Sequence, residues 1–163
     1  MKENCTTQVV VLVGSPNDVK IIKESGMMEV FESVGLAVSL HVLSCHRNPD
    51  ELAQFCRKAE DVNVFIAAAG LAAALPGALA AATKMSKVII GVPLDDYGVD
   101  TCIRMPPGVT VLTAGVGKSG LLNAAIAASQ IVAIANKQVA EALAGYITSK
   151  TRKPQFNVSF QEA

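Results

Sequence analysis

Three short loops contain most of the side chains that could bind an anion or move a proton. They occupy residues 14–18, 44–49 and 69–77, and each directly follows an apolar run typical of a buried strand. In an open parallel α/β sheet, the loops at the carboxyl ends of the strands share one edge, so residues distant in sequence meet around one ligand. The sequence therefore predicts that the three loops form a single site.

The second loop is the most specific of the three, because it combines a hydroxyl, an imidazole and a guanidinium. Arg47 can bind a phosphate through two parallel N–H groups, and Ser44 can donate to the same anion. His46 lies beyond the strand end, where proton transfer requires an imidazole and packing does not. His41, inside the strand, is predicted to be structural. Cys45 is not favoured as a nucleophile activated by His46, because adjacent residues in an extended segment point to opposite sides.

The first and third loops offer different chemistry. The first joins a strand to a helix, where backbone N–H groups favour an anion; Ser15 adds a hydroxyl, and Asp18 can accept hydrogen bonds from sugar hydroxyls. An ordinary N-cap turn explains these residues equally well. The third loop has almost no polar side chain, so it would contribute backbone N–H groups, close approach at Gly70 and Gly77, and a dry wall. Such a wall suits a reaction with an uncharged intermediate that must stay away from water.

The elements that position these loops alternate between strand and helix. Helices are predicted at 19–34, from Pro49 onward with Asn48 as N-cap, at 75–82 and at 118–144. Strands are predicted at 8–13, 37–43, 62–68, 88–92 and 109–114, and residues 94–105 are predicted to be a loop. This order predicts an α/β domain with a five-stranded parallel sheet between two helical layers.

Composition excludes several classes of protein. The 163 residues are 51% apolar and 17% charged, which suits one globular domain, here placed at 1–146 with a C-terminal tail at 147–163. Fourteen basic and fourteen acidic residues without a basic cluster predict no nucleic-acid partner. The absence of a signal-like or membrane-spanning run predicts no membrane association and a cytoplasmic protein.

Metal binding is not predicted either. The four cysteines form no C-x-x-C pair, and two histidines offer no zinc spacing. Asp95, Asp96 and Asp100 are interpreted as solvated acids rather than magnesium ligands.

Two further segments have distinctive patterns. Residues 115–119 resemble the end of a P-loop, but Leu112 stands where the first glycine of that motif belongs, so an NTPase is not favoured. Residues 121–135 are apolar or small on nearly every helical face, which predicts a helix buried all round. We expect one side of it to pack against a neighbouring subunit; a central core helix is the alternative.

Taken together, the loops resemble those of the PurE family, the N5-carboxyaminoimidazole ribonucleotide mutases of purine biosynthesis. The principal matches are Gly-Ser-x-x-Asp at 14–18, Ser-x-His-Arg-x-Pro at 44–49 and Ala-Gly-x-Ala-Ala-x-Leu-Pro-Gly at 69–77. Shorter matches at 91–93, 105–109 and 117–125 follow in order, so the resemblance spans about residues 9–144.

The resemblance implies a flavodoxin-like three-layer α/β/α sandwich assembled into a homo-octamer, acting on a ribonucleotide and carbon dioxide without a cofactor. His46 would be the general acid/base. The implied substrate contacts are Ser15, Ser44 and Arg47 for the phosphate, Asp18 for the ribose hydroxyls, and Gly70 and Leu75 for the imidazole and carboxylate.

Three departures from the family pattern accompany this match. Ala74 stands where the family normally has a histidine, Asn17 replaces a serine, and the stretch between 93 and 105 is several residues short. Asn17, Cys45 and Ala74 are therefore only possible site residues. Two alternatives to the mutase stay open: a related carboxylase or decarboxylase on this or another nucleotide, and a catalytically silent nucleotide-binding octamer. Arg47 and residues 71–73 follow the mutase rather than the animal-type carboxylase pattern.

Overall fold

The computed structural model describes residues 9–150, and these form one five-stranded parallel sheet flanked by helices. The strands are β1 (Val9–Val13), β2 (Val38–Val42), β3 (Val64–Ala69), β4 (Val88–Pro93) and β5 (Leu112–Thr113). The helices are α1 (Val19–Glu24), α2 (Met27–Ser33), α3 (Pro49–Lys58), α4 (Leu75–Ala82), α5 (Val99–Ile103), α6 (Gly117–Ala133) and α7 (Lys137–Lys150). The strand order β2-β1-β3-β4-β5 is that of the flavodoxin-like doubly wound folds, so the predicted α/β class and sheet are confirmed.

Alternate residues of the central strands face two separate cores. In β1, Val9, Val11 and Val13 pack with the layer formed by α1, α2, α6 and α7, whereas Val10 and Leu12 pack on the opposite face with α3 and α4. Because both faces are covered, every residue of β1 is buried, as a central parallel strand requires. The predicted three-layer arrangement is therefore present.

The boundaries differ from the predicted ones where a turn interrupts a helical pattern. The helix predicted at 19–34 is divided at Gly26, whose φ of 78° is left-handed. The helix predicted at 118–144 is divided at 134–136, where Ile134 is 87% exposed and Asn136 caps α7 by accepting a hydrogen bond from the Val139 N–H at 3.2 Å. The segment after β4 is not only a loop, since it contains a 3-10 turn at Asp96–Gly98 and then α5.

Helix α6 is a core helix of the single subunit. It packs on β3 and β4 from one side and on α1, α2 and α7 from the others. Leu121, Ala124, Ala125 and Ala128 have no exposed surface. After the break at 134–136, α7 folds back and covers one side of α6. Leu122, Ile126 and Ile131 stay only partly buried, so a neighbouring subunit against that side of 121–135 remains a prediction.

Most of the predicted C-terminal tail at 147–163 lies outside the described residues. Helix α7 continues to Lys150, so the first residues of the predicted 147–163 tail are helical, and residues 151–163 lie outside the described residues. Across residues 9–150, no helix has the length and apolar character needed to span a bilayer.

Candidate functional site

A cavity of about 490 Å³ opens at the carboxyl edge of the sheet, among the loops that follow β1, β2, β3 and β4. Every predicted site residue lines it: Ser15, Asn17, Asp18, Ser44, Cys45, His46, Arg47, Gly70, Ala74 and Leu75. Because the loops at the carboxyl ends of parallel strands share one edge of the sheet, which we call the strand-end rule, residues separated by up to sixty positions in the chain meet here. Leu94 and Asp95 also line the cavity and were not predicted as part of it.

The first loop turns sharply into α1. Ser15 is the N-cap of a short 3-10 turn, and its Oγ accepts the Asn17 N–H at 3.3 Å. The Asp18 N–H donates to the Ser15 carbonyl at 3.1 Å, which fixes the Asp18 side chain at the start of α1.

The second loop is tied to the first by its arginine. Arg47 Nη2 donates to the Gly14 carbonyl at 2.9 Å, and the Arg47 N–H donates to Ser44 Oγ at 3.3 Å. Below them, the Leu43 N–H donates to the Val13 carbonyl at 2.8 Å and so extends the β1–β2 ladder into the loops. Two segments about thirty residues apart thus form one polar wall.

Both serines of this wall line the cavity and keep an O–H that can donate a hydrogen bond. Ser15 Oγ and Ser44 Oγ each accept a backbone N–H, so each retains its own O–H for another acceptor. The guanidinium of Arg47 uses one N–H group on Gly14 and has others left. Three donors and one positive charge are the chemistry that binds a phosphate.

His46 lines the same cavity as this polar wall and the third loop. The residue is exposed, and within residues 9–150 its imidazole has no hydrogen-bond or ion-pair partner. A ring nitrogen that is not already engaged can accept a proton from a bound ligand and return it.

The neighbouring histidine and cysteine have structural surroundings. His41 lies in β2, with Nε2 2.9 Å from Ser39 Oγ and its ring centroid 4.7 Å from that of Phe55, which fits the predicted structural role. Burial raises the pKa of the Cys45 thiol, only partly offset by backbone hydrogen bonds, so the reactive thiolate is disfavoured.

The third loop is shaped by its backbone. Leu71 and Ala73 have φ values of 55° and 43°, in the left-handed region that residues with a Cβ rarely adopt, and the Ala73 N–H closes the turn on the Gly70 carbonyl at 3.1 Å. Leu75, fully buried, then begins α4. Ala74 contributes only a methyl group to the cavity wall.

Asp95 connects this loop to the segment after β4. Its Oδ2 accepts the Leu71 N–H at 2.8 Å, and its Oδ1 accepts the Tyr97 N–H at 3.1 Å. Applied to β4, the strand-end rule would have found it, because Asp95 comes two residues after the strand ends at Pro93.

Two carboxylates therefore share the cavity. Burial raises the pKa of Asp18 above its ordinary value, and the charge of Asp95 raises it further. A backbone hydrogen bond at Ser15 and the charge of Arg47 act in the opposite direction. The space beside Asp18 favours ligand groups that donate hydrogen bonds, such as hydroxyls.

The remaining sequence motifs lie apart from this chemistry. Asp100 pairs with Arg104 at 3.1 Å, and no group of three metal-ligating side chains occurs among residues 9–150. The P-loop-like segment forms a tight turn, with Gly117 at φ 59° and Lys118 paired with Glu24 at 2.8 Å.

Comparison with known proteins supports the family resemblance and the fold independently of the site geometry. The AIR carboxylase family model matches residues 8–153. A Pyrococcus abyssi protein named N5-carboxyaminoimidazole ribonucleotide mutase is 37% identical over 147 residues, which cover 85% of this chain and 81% of that protein. The Escherichia coli K12 protein of the same name is 35% identical over 156 residues, covering 91% and 90%. Treponema denticola PurE superposes with a TM-score of 0.75 over 86% of this chain and 89% of that chain, at 22% identity, which supports the fold.

Proposed function

The chain belongs to the AIR carboxylase family, and we propose that it is an N5-carboxyaminoimidazole ribonucleotide mutase of purine biosynthesis. The observation that carries the proposal is that the unpartnered imidazole of His46 lines the same cavity as a phosphate-binding wall and an apolar loop. The reaction moves a carboxyl group within one ribonucleotide, from the exocyclic nitrogen N5 to the ring carbon C4.

The polar wall would bind the phosphate of the substrate. Ser15 and Ser44 each have a free O–H, and Arg47 adds a positive charge held in place by the Gly14 carbonyl. With the phosphate bound there, Asp18 at the start of α1 would accept hydrogen bonds from the ribose hydroxyls.

His46 would move the one proton that the reaction requires. The bond between N5 and the carboxyl carbon breaks, carbon dioxide leaves, and N5 takes a proton from the imidazolium. C4 then attacks the carbon dioxide to form the new C–C bond, and the imidazole removes the C4 proton, which restores the aromatic ring. Atoms and protons balance, so the overall change is an isomerisation.

The third loop would keep the carbon dioxide from escaping. Residues 71–75 present apolar side chains to the cavity, and Gly70 leaves room for the imidazole ring. A dry wall protects an uncharged intermediate from hydration while it moves between the two attachment points.

Ala74 favours one second candidate, a carboxylase that takes carbon dioxide from solution. The family histidine that this position lacks would be the polar group beside the retained carbon dioxide, and only a methyl group occupies its place. In that case carbon dioxide would enter the same cavity from outside and His46 would still remove the C4 proton.

We also propose a cytoplasmic homo-oligomer, an octamer by the family resemblance. Leu71 and Tyr97, whose backbone N–H groups both bind Asp95, are 73% and 83% exposed, and exposed apolar patches are commonly covered by a partner. Cys45, Cys56 and Cys102 are free thiols, which are typical of a reducing compartment.

The experiment that tests the function follows an isotope. Substrate labelled with ¹³C in the N5-carboxylate is incubated with the protein in unlabelled bicarbonate, and the product is examined by ¹³C NMR. A mutase gives 4-carboxyaminoimidazole ribonucleotide that retains the label, whereas a direct carboxylase gives unlabelled product. If neither the labelled nor the unlabelled product forms, both candidate functions are contradicted.

The imidazole is tested in the same assay. His46→Asn is expected to slow label transfer by on the order of a hundredfold or more, with nucleotide affinity changed only a few-fold. His41→Asn is the matched control, since His41 lies outside the cavity. A similar loss in both variants would point to misfolding and not to proton transfer.

A further inference from the structure

The short segment 94–98 lies directly against the third loop. The Leu94 N–H donates to the Ala69 carbonyl at 2.9 Å, and one residue later the Asp95 carboxylate reaches across to the Leu71 N–H at 2.8 Å. The second carboxylate oxygen accepts the Tyr97 N–H at 3.1 Å, so the aspartate is itself held by the turn that follows it. One side chain thus joins the ends of β3 and β4 above the sheet.

This contact falls where the third loop is most strained. Leu71 and Ala73 both have left-handed φ values, a conformation that costs free energy in residues other than glycine. The turn has one internal hydrogen bond, from the Ala73 N–H to the Gly70 carbonyl. A charged acceptor on the Leu71 N–H gives the loop a second anchor, and hydrogen bonds to charged groups are stronger than neutral ones.

Two glycines show how closely the segments fit. A Cβ on Gly70 would lie 2.7 Å from Asp95 Oδ2, and a Cβ on Gly98 would lie 2.5 Å from the Ala73 Cβ. Neither glycine has a left-handed φ, so the two positions require glycine because the two segments pack closely, and not because of backbone conformation.

We propose that Asp95 is a positioning residue for the carboxyl-transfer step. Through the Leu71 N–H it holds residues 70–74 in the shape that confines the migrating carbon dioxide. This inference rests on the proposed function, because the loop matters to catalysis only if the cavity is where the carboxyl group moves. Among the described residues, Asp95 has no hydrogen bond or ion pair with Arg47 or the two serines.

Asp95→Ala tests the proposal by removing both acceptor oxygens. We expect faster hydrogen exchange in peptides covering residues 70–75, a drop in kcat of about tenfold, and a KM within about threefold, because the loop loses a hydrogen bond to a charged acceptor, which is stronger than one to a neutral acceptor. Ribose 5-phosphate should bind as tightly as before, because the phosphate wall is intact. Asp96→Ala is the control: Asp96 is exposed in the same turn and lacks a side-chain hydrogen bond or ion pair within residues 9–150.

Asp95→Asn separates positioning from a general loss of folding. Its amide oxygen can still accept the Leu71 N–H, so exchange and kcat should lie between those of the native protein and Asp95→Ala. Unchanged exchange at 70–75 in Asp95→Ala, or faster exchange with native kcat, would overturn the proposal.

A native protein without turnover would instead overturn the proposed function. Hydrogen exchange in the presence of aminoimidazole ribonucleotide would then test the positioning role of Asp95 independently of turnover. Protection of 70–75 by this ligand that is lost in Asp95→Ala supports the positioning role, and protection that is retained contradicts it.

Discussion

The two ends of the cavity are built in opposite ways. At the phosphate end, the side chains of Ser15, Ser44 and Arg47 face the ligand space and are oriented by backbone groups. At the other end, the backbone of residues 70–74 forms the wall, and the side chain of Asp95 orients it. Binding charge needs polar side chains, whereas confining an uncharged molecule needs a closely shaped surface without them.

This difference explains why the two ends tolerate different changes. A serine, histidine or arginine at a strand end keeps its chemistry if the strand and the loop length are preserved. A wall formed by backbone depends on the segment that packs against it. Here that segment is the short turn at 94–98, which contacts the third loop closely at Gly70 and Gly98. Substitutions at the phosphate end should therefore change affinity, and those at the other end should change turnover.

The largest effect on ligand affinity is expected at the phosphate end, from Arg47→Met. The variant keeps an unbranched apolar stem but loses the charge and the hydrogen bond to the Gly14 carbonyl. Loss of a charge-assisted contact of roughly 1.5–3 kcal/mol should weaken ribonucleotide binding about ten- to hundredfold. Isothermal titration with the aminoimidazole ribonucleotide and with its phosphate-free nucleoside measures this, and only the ribonucleotide should lose affinity.

Arg57→Met provides the matched control, because Arg57 is an exposed arginine in the last turn of α3 and does not line the cavity. Equal loss of affinity for ribonucleotide and nucleoside in Arg47→Met would show that the arginine stabilises the loops and does not bind phosphate.

A smaller effect is expected from placing a polar side chain in the backbone-built end. Ala74→His introduces the histidine that the family resemblance implies at this position, next to the buried Leu75 at the start of α4. One added hydrogen bond of about 0.5–1.5 kcal/mol to the transition state would raise kcat roughly two- to tenfold, with little change in KM. The ¹³C transfer assay measures the rate, and a fall in rate would show that this cavity works with an apolar wall.

The difference between the two ends of the cavity also explains which site residues could be predicted from the sequence. Ser15, His46 and Arg47 were predicted because apolar runs mark strand ends, and parallel topology brings strand ends together. Asp95 was missed although its place just after β4 could have put it at the cavity. Its hydrogen bond to the Leu71 N–H could not be predicted, because it depends on contact between two loops about twenty-five residues apart. The cover of α6 by α7 was missed for a similar reason, because the break at 134–136 that lets α7 fold back interrupts a continuous apolar pattern.

The smallest effect is expected where the two ends meet, at Asp18. Burial and the charge of Asp95 raise its pKa in the folded protein above the ordinary 3.8, so folding favours the protonated form. The contribution of Asp18 to stability is therefore fully present below pH 3.8 and is lost as the pH rises through the raised pKa. At pH 7 the ionised carboxylate destabilises the fold, and Asp18→Asn should raise Tm by about 1–3 °C while weakening ribonucleotide binding.

Thermal melts of the native protein and Asp18→Asn at pH 7 and pH 4 measure this difference in Tm, and the advantage of the variant should shrink at the lower pH. Asp61→Asn, at an exposed position away from the cavity, should leave Tm nearly unchanged at both values. If Asp18→Asn instead lowered Tm at pH 7, the carboxylate would be holding the first loop together, and its place at the boundary between the two ends would be structural.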